Sequence, residues 1–394
     1  MRRFLLFVVI AAAIALAFWK FYPRNLTYSP SYRAYAYVTN GKSGTVSVID
    51  VYPRVGAPTS LRAFRSVTVG DNPTGVTANP RRNEVYVVNT DSNNVSVLDA
   101  ERNTVVATIG VHRAPFFMDV SRDGTRGYVA NSGSANVSVI DLENRKVLAN
   151  VRVGAAPGLA RVSPDAETVV VSNRGDNTVS LIDATRLALR ATISACKEPT
   201  DIAITIDSVK AFVACSGSAQ VAAIDLKNAR LLALLDVGQT PTSLALKPDG
   251  GELAVCNFGS DTISMIETGT NEVAGSYLIG KQPSRAVVSA DNSLLFVSNF
   301  GSDAVAVYSI DNGKVIDSIH VGNKPDALVL TPHQDLVLAL DSESSDVAII
   351  RTQKWPGSSK LSAERALVTM APVGVQAHDI AVKDFMVRTT TPEK

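Results

Sequence analysis

Side chains able to ligate a metal, act as a nucleophile or change redox state are scarce in this chain: four histidines and three cysteines in 394 residues. His112 and His378, with Asp201 or Asp379 beside them, form the set that could ligate a metal ion or the iron of a haem, since imidazole and carboxylate are donors that such centres use. The alternative is two surface histidines without a shared partner. Cys196 and Cys215 stand where equivalent places elsewhere usually carry glycine and asparagine. Both depart within one unit, so the expectation is a Cys196–Cys215 disulfide, which an exported compartment permits. Two separate buried thiols are the alternative, and Cys256 reads as a buried free thiol. No Gly-x-Ser-x-Gly, no His-Glu-x-x-His and no cysteine spacing of the zinc or c-type haem kind is present.

A repeat must position these residues. The stretch AYVTNGKSGTVSVID, 36 to 50, returns as VYVVNTDSNNVSVLD, GYVANSGSANVSVID and VVVSNRGDNTVSLID. Its asparagine recurs as Asn40, Asn89, Asn131, Asn173, Asn257 and Asn299, with Cys215 and Asp341 in phase; after a first interval of 49, every spacing is 42. An acid follows ten residues on, as Asp50, Asp99, Asp141, Asp183, Asp225 and Glu267, with Ser309 and Arg351 as departures. A proline keeps the same period from Pro73 to Pro325, and Ala377 takes its place in an eighth copy. Asparagines at so many equivalent places argue for a structural role, holding turns by bonding local backbone. The acids read as acceptors of backbone N–H groups where a strand ends.

Each unit reads as four short strands, rich in Val, Ile, Leu and Thr and punctuated by Gly, Pro, Asn, Asp and Ser. Runs such as SLALKP are apolar on both faces, as in a sheet covered on both sides. Such units predict an all-β, closed eight-bladed β-propeller, with seven blades the alternative if a terminal unit is displaced. The chain enters at a second strand and ends on an orphan first strand, 378–382, which completes the first blade. The expected organisation is a signal anchor or signal peptide at 1–24, a linker at 25–34, the propeller at 35–384 and a tail at 385–394.

In such a ring the repeated residues build the scaffold, and those that vary are free to bind. The two residues after each proline position should approach the mouth of the central channel. On that ground Phe116, Phe117, Asp201, Arg285, Asp326, His378 and Asp379 are ligand-binding candidates, ringed by the loop residues Arg174, Phe258 and Phe300. They predict a mixed polar and aromatic mouth suited to a small ligand or peptide; a solvated rim is the plain alternative. No catalytic residue is assigned.

Arg2 and Arg3 precede the apolar run Phe4 to Trp19, which spans roughly 24 Å as a helix against a bilayer core of ~30 Å. The flank Trp19 to Tyr22 suits an uncleaved anchor and Ala15-Leu16-Ala17 a cleavage site, and both readings stay open. Either puts the remainder outside the cytoplasm, in the periplasm or at the cell surface. A net charge of +1, from 38 basic and 37 acidic residues, leaves no basic footprint for nucleic acid. The expected partner is a protein or small molecule of unspecified kind, on a monomeric propeller.

Tyr37-Val38-Thr39-Asn40, with the Val-Ser-Val-Ile-Asp and Pro-x-x-Val-x-Val-x-Pro-Asp-Gly elements around it, resembles the YVTN β-propeller repeat family over most of the chain. Members look mostly like exported or surface-associated propellers without assigned activity. Related-looking propellers include lactonases and the haem-bearing domain of cytochrome cd-type nitrite reductases. The resemblance is specific for the fold alone, and the expected role is a non-catalytic binding or scaffolding module, leaning away from an enzyme, with no cofactor expected. One alternative is a cofactor- or metal-dependent enzyme or maturation protein, lactonase-like or haem-handling, that uses the channel mouth. Another is an inert structural envelope component.

Overall fold

The computed structural model describes residues 31–52, 61–352 and 366–387, together with Ser29. The N-terminal apolar segment, most of the linker, the loops at 53–60 and 353–365 and the tail beyond 387 lie outside the described residues. The described chain forms eight antiparallel sheets of four strands each. Blade 1 runs outward from Ala377–Met386 through Tyr32–Asn40 and Thr45–Asp50 to Ala63–Thr68. Blades 2 to 8 follow in chain order, with inner strands Pro73–Ala78, Pro115–Val120, Pro157–Val162, Pro199–Ile204, Pro241–Leu246, Pro283–Val288 and Pro325–Leu330. The C-terminal strand pairs with the first described strand, Ala36 opposite Val382, which shuts the ring and leaves no seven-bladed reading.

Burial explains the pattern of each strand. Third strands such as Asn94–Asp99 are buried at every interior position, because neighbouring blades cover both faces. Outer strands such as Lys146–Arg152 alternate between exposed and half-buried positions over most of their length, because one face meets water. The core is therefore a set of layers between blades. Val170 and Leu181 of blade 4 pack on Ile202 and Val213 of blade 5, and Leu338 and Ile349 of blade 8 pack on Ala36 and Val38 of blade 1. Each fully buried Val, Leu or Ile contributes about 1.5–3 kcal/mol.

The repeated asparagines are buried, and their amides reach across strands more than into local backbone. Asn40 Nδ2 donates to Thr45 Oγ1 at 3.1 Å and Ser47 Oγ at 3.0 Å; Asn173 and Asn257 do the same with Thr178 and Ser180, and with Thr262 and Ser264. Antiparallel pairing puts the fifth residue opposite the asparagine, and the seventh shares its face. Asn299 faces Ala304 and Ala306, which offer no hydroxyl, and donates to the Ile279 carbonyl instead. The acids accept backbone N–H groups: Asp183 Oδ1 takes those of Thr185 and Arg186. The Asn228 side chain and backbone together hold the Asp225 carboxyl down at about 2. In blade 5, where Cys215 replaces the asparagine, Cys196 and Cys215 are disulfide-bonded with Cα atoms 5.7 Å apart. Cys256 is buried and free.

Candidate functional site

Each inner strand starts with an irregularity. The pairing register shifts between Pro283 and Arg285 and between Pro325 and Ala327, so the residue after the proline drops out of the ladder. These displaced residues gather at one end of the channel. A cavity of ≈ 990 Å³ opens there, and Phe116, Phe117, Arg174, Asp201, Arg285, His378 and Asp379 all line it. Asp326 sits close enough to Arg285 and His378 to interact electrostatically with both side chains. Phe258 and Phe300 are not among the lining residues. They pack against each other with centroids 5.7 Å apart and rings tilted by 54°, and Lys324 Nζ lies 5.7 Å from the Phe300 centroid. His112 is exposed outside the cavity and its Nδ1 bonds Asn136 Nδ2 at 2.7 Å, so the two histidine candidates do not share a centre. Among the described residues, no group of three or more His, Cys, Asp or Glu could hold a metal ion.

Small residues make room for the large ones. His378 lies so close over Gly41 that a Cβ there would stand 2.6 Å from its Nε2. The equivalent residues in other blades, from Thr90 and Ser132 to Phe258 and Phe300, all carry side chains. In blade 4 the pairing is reversed: Gly158 follows the proline, and the Arg174 chain lies over it.

Three carboxylates at or beside the channel are partly committed to the scaffold. Asp119, Asp201 and Asp379 accept the N–H groups of Val162, Leu244 and Val76 at 2.9, 2.9 and 3.0 Å, each stitching one inner strand to the next blade. Burial raises Asp119, Asp326 and Asp379 above the ordinary carboxylate range. Burial also works against the charge of Arg285, but Asp201, Asp379 and Asp326 around it more than offset that cost. His378 is held below the ordinary imidazole range by burial, against the pull of Asp326. It is therefore a neutral imidazole near neutral pH, and among the described residues neither ring nitrogen makes a hydrogen bond.

Asp119 and Arg161 escaped the sequence reading. They occupy the fourth place after the proline, where Arg161 lines the cavity and Asp119 stands beside it, whereas the expectation stopped at the second. A signal was present: that place reads Thr77, Asp119, Arg161, Ala203, Ala245, Val287, Val329 and Ala381, two charges among small or apolar residues in adjacent units. Arg161 lies 3.8 Å from the Asp119 carboxylate, and its guanidinium sits 4.6 Å from the Phe117 ring centroid. Chemically, the mouth offers one neutral imidazole, aromatic faces and guanidinium groups in one concave space.

Solved structures similar to this chain include Kuenenia stuttgartiensis hydrazine synthase, with a TM-score of 0.60 and 20% identity over 76% of this chain and 99% of that chain. A functionally unknown protein from Desulfotomaculum acetoxidans DSM 771 gives 0.58 and 15%, over 76% and 98%. The dihydro-heme d1 dehydrogenase NirN in complex with DHE gives 0.67 and 13%, over 91% and 76%. At these identities the likeness is one of fold. No curated protein matches the chain. The model of the Cytochrome D1 heme domain family matches residues 79–354, well over half of the chain. This match overturns two expectations, the absence of a cofactor and the non-catalytic scaffold. Both rested on the repeated residues, which hold the blades and do not report on the unrepeated residues of the mouth. The chain belongs to the Cytochrome D1 heme domain family.

Proposed function

We propose that this protein is a haem-handling propeller that takes a haem of the d1 class at the channel mouth. The observation that carries the reading is His378, a neutral imidazole without a hydrogen-bond partner among the described residues, in a cavity of ≈ 990 Å³. The donor set fits the group. His378 would hold the iron, Phe116 and Phe117 offer apolar faces to the macrocycle, and buried carboxylates raised by desolvation limit the negative charge around it. When bound, the haem supplies a redox-active iron. NirN, a propeller of similar fold, is described in complex with DHE, which supports the reading of this fold as one that handles d1-type tetrapyrroles. In this reading the YVTN-type repeat is the scaffold, and the single disulfide favours an oxidising compartment outside the cytoplasm.

The test is spectroscopic. In protein loaded with haem d1, H378A changes the absorption and electron paramagnetic resonance signature of the iron, and added imidazole restores it. Identical spectra in wild type and H378A would remove His378 as the ligand.

A further inference from the structure

The two ends of blade 1 differ. At the mouth end Asn40 stands opposite Ala377, one residue before His378. At the far end Tyr32 stands opposite Met386, and Tyr35 opposite Asp50. In blades 2 to 8 a short turn joins the inner strand to its neighbour at the far end; in blade 1 those two strands come from the two ends of the described chain. The surface there is aromatic, apolar and basic. Tyr35 packs against both Phe64 and Phe385, with ring centroids 5.4 and 5.6 Å away. Phe64 and Met386 are 53% and 54% exposed. Beside them Tyr32 lies 5.9 Å from Tyr52 and 4.9 Å from His333, centroid to centroid. The acids of this end are half-buried and accept tyrosine hydroxyls, Asp384 from Tyr32 at 3.2 Å and Asp335 from Tyr52 at 2.5 Å. Arg62 and Arg65 are exposed, so the exposed charges at the start of this outer strand are positive.

A separate observation points to the same end. The apolar run Phe4 to Trp19 is followed by twelve residues before Tyr32. A chain of that length reaches at most about 45 Å. The mouth stands roughly 27 Å farther on, at the other end of the strand Tyr32–Asn40. A bilayer holding the apolar run is therefore nearest to the Tyr32 end.

We infer that the far end of blade 1 rests on the anionic surface of the bilayer that holds the N-terminal apolar run, so that the channel mouth faces away from the membrane. The inference takes the uncleaved reading of that run and is independent of what the mouth binds. Tyrosine rings and apolar side chains settle at the headgroup boundary, and guanidinium groups pair with lipid phosphates. Phe64, Met386, Arg62 and Arg65 supply these contacts without unfolding any strand.

The test uses the full chain, residues 1–394, in vesicles of equal parts phosphatidylcholine and phosphatidylglycerol. An NBD fluorophore is placed by F64C or, separately, by M386C; A155C, in an exposed loop at the mouth end, is the reference. The native cysteines are a disulfide and a buried thiol, so the label goes to the new site. Spin-labelled phosphatidylcholine should quench most of the emission from positions 64 and 386 and little from 155. R62Q/R65Q should lower the docked fraction, by roughly fivefold in the docking equilibrium for each arginine, and vesicles of phosphatidylcholine alone should do the same. A chain that does not float with the vesicles, or equal quenching at 64, 386 and 155, overturns the inference. Blue-shifted emission at 64 and 386 without quenching would mean that protein, such as a second copy, covers the patch, and overturns it as well.

Discussion

At the scale of single residues, the departures from the repeat carry the chemistry. Asp341 occupies an asparagine place in blade 8, fully buried, with Asp346 opposite it and Ala348 where a hydroxyl usually stands. One oxygen of each carboxyl is buried without a donor. Burial first, then the Asp346 carboxyl, push Asp341 up to about 8. The folded protein therefore keeps a proton that the unfolded chain releases near pH 4, so the stability from this group is full below that pH. It declines as pH rises and is gone above about 8. D341N restores the amide of the other blades, and its gain in Tm should be larger at pH 8.5 than at pH 5. Equal gains at both pH values would show that no proton is held there. A second prediction concerns Gly41. G41A places a Cβ 2.6 Å from His378 Nε2, which must displace the imidazole; haem binding should weaken while the melting temperature stays near wild type. Unchanged haem affinity and spectra in G41A would mean that His378 does not need its present place.

At the scale of elements, the blades were legible because their landmarks repeat every 42 residues and each has a local cause. Valine-rich runs, turn residues and prolines fall in register, so strand order followed from period alone. Less legible were contacts between blades, because a repeat read in one dimension does not show which side chains cross to the next unit. The residue before each inner strand illustrates this. Ala114, Glu198, Gln282 and Lys324 all have a positive φ near 50°, and each N–H is taken at 2.9 Å by Asn93, Asn177, Asp261 or Asp303 of the preceding blade. Replacing Asn177 by Ala should cost about 1–2 kcal/mol in a denaturant titration, the value of a lost hydrogen bond at a position that also favours Asn. The disulfide belongs to the same scale. Blade 5 has Gln220 and Ala222 where an asparagine would need hydroxyls, and the Cys196–Cys215 bond across 19 residues takes over that join. Its removal in C196G/C215N should cost about 3 kcal/mol. Adding Q220T/A222S should return part of it, and no return would deny that bond and asparagine clamp do equivalent work.

At the scale of the whole molecule, closing the ring and building the site are one event. The strand Ala377–Met386 pairs with Tyr32–Asn40, and the same strand brings His378 and Asp379 to the mouth, where Asp379 stitches it to blade 2 through Val76. The mouth was readable in the sequence as a set of unrepeated residues at fixed offsets. The offsets alone do not show which of these side chains meet: His112 lies outside the cavity that His378 lines, and the fourth offset, which carries Arg161, opens onto it as well. A haem held at this mouth would join the ring closure to the function. The most direct measurement is to mix the purified protein with one equivalent of haem d1, pass it through gel filtration and record the absorption spectrum of the protein peak. A stoichiometric haem band should travel with the protein and be lost or shifted in H378A. A wild-type protein that elutes colourless, with the haem left behind, would contradict it.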